Sequence, residues 1–215
     1  MAEQKTPKPL RADAERTVQT ILAAAERVLS ANPAATMEQI AEAAGVARTT
    51  VHRRFATREA LVEALIAWAT RQFHEAVVGA PATAPPLVTL YQVTANVLRV
   101  KIDWGFAMSG AAPQNPEVAR AHADVLERCD SLFLRARQAG VLRPDADLLW
   151  VRQVYYALIH EAARNRADDP ADGSPDDLPD GSPDGGVDAL ATLVVDTLLR
   201  GVGGAAGSGA SLSSR

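Results

Sequence analysis

The sequence holds one cysteine, Cys129, in 215 residues. That excludes an internal disulfide framework and a multi-cysteine zinc site. Its four histidines, His52, His74, His122 and His160, form no H-x-x-x-H pair or other clustered ligand spacing, so no metal site is expected. Aromatic residues are only 5% while alanine is plentiful, a balance that favours helices over a β-sandwich. No apolar run reaches 18 residues, which excludes a transmembrane helix by pattern, and no membrane partner is expected. The opening segment MAEQKTPKPLRADAER has no apolar core of a secretory signal, so a cytoplasmic protein is expected. G-x-G-x-x-G, P-loop and G-x-S-x-G motifs are all absent. No cofactor, catalytic residue or enzymatic activity is therefore expected. Cys129 lies seven residues after His122, about 10 Å along a regular helix. That is too far for a Cys–His catalytic pair, and a buried structural thiol is the expected reading.

What is present is an ordinary globular composition, 47% hydrophobic and 22% charged. The length suits one large or two small domains. The net charge of −4 conceals an asymmetry. Between Ala43 and Arg58 stand Arg48, Arg53, Arg54 and Arg58 with no acid, whereas eight aspartates crowd into 168–188. A small basic patch on an acidic body is compatible with DNA binding.

The chain divides by pattern. Residues 1–12 are polar and proline-containing and read as a flexible arm. From Asp13 apolar residues recur in three- and four-residue steps, Val18, Ile21, Leu22, Ala25, Val28 and Leu29, until Asn32-Pro33 stops the helix. TMEQ at Thr36–Gln39 fits a capping box. It opens a short helix over 37–43 that Gly45 breaks, and a second comes next over 47–55. Thr57 reads as the cap of a fourth helix, with Glu59 in its first turn. Thereafter helices are expected over 87–104, 117–139, 148–166 and 187–202. GAPATAPP, SGAAPQNP and VLRPDAD separate them. Residues 167–186 repeat DGSPD and carry no apolar period, so they read as a disordered Asp/Pro/Gly loop. Residues 203–215 read as a flexible tail. The expectation is an all-α chain of about nine helices: a helix-turn-helix domain over 13–56 and a helical domain over 57–202.

The segment that carries information is Thr36–Leu65, TMEQIAEAAGVARTTVHRRFATREALVEAL. Ile40, Ala44, Val46, Val51 and Phe55 stand where a helix-turn-helix needs apolar residues, and Gly45 where its turn needs a positive φ. On the second short helix Val51 and Phe55 face inward. Thr49 and Arg53 then point outward, flanked by Thr50 and His52. Hydroxyl, guanidinium and imidazole groups opposite an apolar anchor suit a major groove, and Arg58 at the next helix start suits a phosphate. Against this, a basic amphipathic helix is often only a solvated face.

Residues 13–66 resemble the DNA-binding domain of the TetR family of bacterial transcriptional regulators. IAEAAGVARTTVHRRFATREAL follows that family's pattern of I-A-x-x-A-G-V, a recognition helix with Tyr then Phe, and a Ser/Lys-Glu-x-L helix start. ARQAGVLRPDADLLW is a weaker echo of the turn before the eighth helix. The resemblance implies DNA contacts from Thr36, Arg48, Thr49, Thr50, His52, Arg53 and Arg58. His52 stands where Tyr is usual and Arg58 where Lys is usual. The first substitution would make operator affinity depend on pH near 6.5, the imidazole's ordinary range.

The resemblance further implies a homodimer on operator DNA, joined through the last two helices, and released by a small-molecule effector bound among the central helices. Candidates to line that pocket are Trp68, Trp104, Phe106, Met108, Phe133, Tyr155 and His160. Their chemistry suits an apolar or aromatic ligand, although aromatic and Met residues at helical spacing more often fill a packed core. Repression is the reading the family favours. A ligand-independent or activating regulator is the alternative, and an interaction module using the Asp-rich loop is a more distant one.

Overall fold

The computed structural model describes residues 8–80, 83–109, 115–168 and 183–204. These form α1 (Lys8–Ala31), α2 (Met37–Ala43), α3 (Arg48–Arg54), α4 (Arg58–Val78), α5 (Pro86–Asp103), α6 (Gly105–Ser109), α7 (Pro116–Gln138), α8 (Leu148–Asp168) and α9 (Pro183–Val202). Among the described residues there is no strand, only one isolated bridge between Leu142 and Gly203. The chain separates into two compact units. The division falls inside α4, after Trp68, and the chain re-enters the first unit at Phe106.

In the first unit, α1 buries Ile21, Leu22, Ala24, Ala25 and Leu29. It ends where the Asn32 side chain accepts from Ala34 N at 3.0 Å and Pro33 withholds a backbone donor. Thr36 then caps α2 reciprocally. Its hydroxyl accepts from Gln39 N at 3.3 Å, and its own N–H donates to Gln39 Oε1 at 2.9 Å. Gly45 has φ 65°. Gly45 N donates to Glu42 O at 3.0 Å and Val46 N to Ala41 O at 3.1 Å, the paired bonds of a glycine-terminated helix. Val51 and Phe55 anchor α3, and Leu61 and Leu65 anchor α4. The Thr57 hydroxyl accepts from Ala60 N at 3.1 Å and caps α4.

In the second unit, the end of α4 joins α5, α7, α8 and α9 around an apolar core that includes Leu90, Leu98, Val125, Phe133, Val151, Val195 and Leu198. Burying one such Leu or Phe contributes roughly 1.5–3 kcal/mol. Polar pairs set which helix faces which. Tyr155 Oη lies 2.8 Å from Thr94 Oγ1, Tyr91 donates to Asp196 at 2.6 Å, and Arg99 meets Asp188 at 2.8 Å. Arg152 reaches both oxygens of Asp130 at 2.6 Å. Burial, and then Asp196, push the Tyr91 phenol up to about 12. At the end of α7 the A-G-V turn recurs. Gly140 has φ 74°, with Gly140 N on Arg137 O at 3.1 Å and Val141 N on Ala136 O at 2.9 Å.

Three boundaries differ from the sequence reading. α1 begins at Lys8, inside the stretch read as an arm, because Lys8 to Ala31 carries no residue that breaks a helix after Pro9 in its first turn; residues 1–7 lie outside the described ones. Residues 167–168 extend α8, and 183–186 begin α9, so the ends of the Asp-rich stretch are helical. Pro183 sits at the helix start, where proline is tolerated; 169–182 lie outside the described residues. Gly203 and Gly204 are tied down rather than free. Gly204 N donates to Val141 O at 2.8 Å and Arg143 N donates to Val202 O at 3.0 Å. A Cβ on Gly203 would stand 2.3 Å from Leu199 O, and one on Gly204 2.4 Å from Gly140 O, so this approach requires glycine at both places.

Candidate nucleic-acid interface

α3 is seven residues long, with Val51 fully buried beneath it. The same spacing that buries Val51 and Phe55 leaves Arg48, Thr49, His52, Arg53 and Arg54 exposed, with Thr50 half-buried. No acid lies on α3. Arg53 and Arg54 hold no hydrogen bond or ion pair among the described residues. Both guanidiniums are thus available to an external acceptor.

Arg48 is committed differently. It meets Glu38 of α2 at 2.6 Å, and its Nε lies 3.5 Å from His52 Nε2. The Glu38 carboxyl is held below its ordinary range by its own backbone N–H first, against desolvation, with Thr36, Arg48 and His52 adding to the lowering. The pair is exposed, so a phosphate can displace it at small cost. Thr36 is exposed at the start of α2, its hydroxyl also serving as the cap.

Arg58 does something the sequence reading did not foresee. Its Nε donates to Ala35 O at 3.2 Å, and its Nη2 donates to Pro33 O. The guanidinium offered to a phosphate is occupied by carbonyls of the loop before α2. These bonds tie the start of α4 to the loop that presents Thr36.

A second residue was missed altogether. Glu26 is 4% exposed in the first unit. It accepts from Phe106 N at 2.6 Å and Ala107 N at 3.1 Å, with Ser30 Oγ donating at 3.1 Å. Burial raises its carboxyl above the ordinary value, and the two backbone N–H groups and Ser30 only partly offset this. The signal was present in the sequence. Glu26 sits four residues after Leu22 and three before Leu29, so it lies on the apolar stripe of α1. An acid there must find a buried partner.

The seven residues offered for an effector pocket fall in both units. Trp68, Phe106 and Met108, all half-buried, belong to the first. Trp104, Phe133, Tyr155 and His160 belong to the second. Phe133 and Tyr155 meet edge to face, centroids 5.4 Å apart, and both are buried core. Trp104 is half-buried and His160 is exposed. Two hollows in the second unit are lined by other residues. One, of about 600 Å³, opens between α7 and α8 and is lined by Glu127, Asp130, Leu134, Leu149 and Arg152 among others. The second, of about 270 Å³, lies among the ends of α4, α5 and α7. Cys129 is buried, and desolvation raises its thiol. Among the described residues no group of three or more His, Cys, Asp or Glu is placed to hold a metal. No helix among them is long and apolar enough to cross a membrane.

A capped short helix, a glycine turn and a second short helix with an exposed basic stripe define a helix-turn-helix DNA-binding protein. Comparison with known proteins gives the family. The model for bacterial regulatory proteins of the tetR family matches residues 21–65. The HTH-type transcriptional repressor LfrR of Mycolicibacterium smegmatis is 31% identical over 159 residues, covering 70% of this chain and 81% of LfrR. The crystal structure of LfrR in complex with proflavine superposes with a TM-score of 0.58 at 28% identity, over 83% of this chain and 95% of that one. A TetR transcription regulatory protein from Mycobacterium vanbaalenii superposes with a TM-score of 0.54 at 28% identity, over 74% of this chain and 98% of that one. The chain belongs to the tetR family. It is a DNA-binding transcriptional regulator and not an enzyme.

Proposed function

We propose that this regulator is a cytoplasmic repressor that binds operator DNA as a homodimer and leaves it when a small apolar or aromatic ligand binds. The observation that carries the DNA reading is the acid-free face of α3, with two guanidiniums uncommitted above a buried valine. Arg53 and Thr49 read base edges in the major groove, and Arg is suited to guanine. Thr50, His52, Arg48 and Thr36 contact the backbone and flanking edges. Arg58 contributes at one remove, by fixing the Pro33–Ala35 loop.

A single seven-residue helix reads too few base pairs for useful specificity, so a second copy is required. A two-fold dimer places recognition helices about 34–36 Å apart, one turn of DNA. Trp150 on α8 and Leu193 on α9 are each 59% exposed, and apolar exposure on the last two helices is what such an interface would cover. The repressor and ligand parts of the reading are supported by LfrR, a repressor whose crystal structure holds proflavine, an aromatic molecule.

The test is recovery of genomic fragments by the purified protein and its Arg53→Ala variant across a salt series, with sedimentation of each. The expected result is a fragment retained by the wild-type dimer and lost by the variant, with a loss of about 1–3 kcal/mol in binding. Affinity should fall steeply with salt, by about 0.9 in log–log slope for each phosphate neutralised. Retention unchanged by Arg53→Ala, or a monomer on the fragment, overturns the reading.

A further inference from the structure

The 270 Å³ cavity of the second unit has an amphiphilic lining. Val77 from α4, Val93 from α5 and Leu132 from α7 form a buried apolar floor. At its mouth stand Arg128, Ser131 and Arg135 of α7. Positions 128, 132 and 135 are spaced by four and three, so one stripe of a single helix supplies both the charge and the grease. No carboxylate is among the described residues that line it. The larger hollow between α7 and α8 differs, with Glu127 and Asp130 beside Arg152 in its wall. A cationic rim over an apolar floor selects a ligand with an anionic head and an apolar body, and disfavours an aromatic cation.

The rim is wired to α4. Arg128 Nε donates to Asp124 Oδ2 at 2.9 Å, and the same oxygen lies 2.6 Å from His74 Nε2. His74 belongs to α4, the continuous helix that begins at Arg58. Arg128 holds the Asp124 carboxyl below its ordinary range, with His74 adding to this.

We propose that this cavity binds a small carboxylic amphiphile, its carboxylate on Arg128 and Arg135 and its apolar body on Val77, Val93 and Leu132. The bound acid competes with Asp124 for Arg128, and the Asp124–His74 contact that pins α4 to α7 is weakened. This rests on the release-by-ligand part of the reading above, and it replaces the apolar or aromatic ligand there with one that carries an anionic head.

The test titrates decanoate, decanol and decylammonium into the full chain by calorimetry at fixed salt. Decanoate is expected to bind, and decanol and decylammonium to bind more weakly. The Arg128→Gln/Arg135→Gln double variant should lose about tenfold or more in decanoate affinity, the loss of a charge-assisted contact. Arg128→Lys should retain most of it. Asp124→Asn removes the competitor and should raise the affinity, a gain that misfolding cannot imitate. Val93→Trp should fill the floor and abolish binding while the helical melt persists. Equal decanoate affinity in wild type and double variant, equal binding of decanol, or an unchanged or lowered affinity in Asp124→Asn overturns the proposal. Failure of the parent reading looks different. Arginine-dependent decanoate binding that leaves the operator fragment retained supports the site and sinks release by ligand. Release by proflavine with no decanoate binding supports release by ligand and sinks this site.

Discussion

The same three residues, Ala-Gly-Val, close a helix in each compact unit, at 44–46 and at 139–141. The glycines share a left-handed φ, 65° and 74°, and both turns make the same pair of backbone bonds. The chain leaves the two turns differently. After Gly45 it starts α3 and shows its basic face to solvent, with Val46 half-buried. After Gly140 it buries Val141 and Leu142 and pairs with Gly203 and Gly204. Local sequence dictates the turn, and the partner it meets decides what the turn is for. The supports differ as well. The first unit holds its loops with ionisable side chains on backbone groups, Glu26 on α6 and Arg58 on Pro33 and Ala35. The second relies on apolar packing, with side-chain pairs between helices.

The largest break in that contrast is Glu26→Ala. It leaves the Phe106 and Ala107 N–H groups without their acceptor, and each buried orphan costs about 1–3 kcal/mol. The gain from no longer burying a carboxylate offsets part of this, so a net loss of about 2–3 kcal/mol is expected. Chemical denaturation should show the first unit losing stability while the Phe133–Tyr155 core of the second is spared. Equal loss in both units would show that the two supports are not separate. Arg58→Ala is expected to rank next at about 1–3 kcal/mol, the range for a hydrogen bond to a charged group. It also distinguishes a clasp from a phosphate contact. A clasp lowers the melting temperature and leaves the salt slope of DNA binding unchanged. A phosphate contact reduces that slope by about 0.9.

Gly45→Ala and Gly140→Ala sharpen the comparison. A left-handed conformation costs an L-residue about 1–2 kcal/mol. At Gly45 a Cβ would meet nothing within 4 Å, so its cost is backbone strain alone. Both variants should lose similar stability, but only Gly45→Ala should weaken operator retention further, because the turn aims α3. Matching losses of retention would mean that the turn at 44–46 sets stability and nothing else.

The first unit was legible to the degree that its function is written in local chemistry. The capping box at Thr36, the glycine at 45 and the outward set Arg48, Thr49, His52 and Arg53 each come from spacing along one short segment. Helix positions in the second unit were legible for the same reason, since caps and breakers are local. The partners of Arg58 and Glu26 were not, although the place of Glu26 on the apolar stripe of α1 marks it as buried. Those partners lie 23 to 25 and 80 to 81 residues away, and no periodicity reports a contact at that distance. The pocket failed similarly. Aromatic residues at helical spacing do not say which of them will fill a core, as Phe133 and Tyr155 do. The polar stripe Arg128, Ser131 and Arg135 gained meaning only once Val77 and Val93 were seen beneath it.

The smallest effect concerns pH. Glu26 titrates from 4.5 in the unfolded chain and higher in the fold, so between those values the native state binds the proton more tightly. Stability from this group is complete below pH 4.5 and is lost as pH rises through the folded value. Glu26→Gln cannot titrate, and its single side-chain oxygen satisfies only one of the two N–H groups. As pH rises from 4.5 through the folded value, the wild type should therefore lose stability relative to Glu26→Gln, and the difference should level off above it. A pH-independent difference between their melting temperatures would show that the buried carboxylate is relieved by its N–H donors, and that the first unit meets no electrostatic penalty for its clasp.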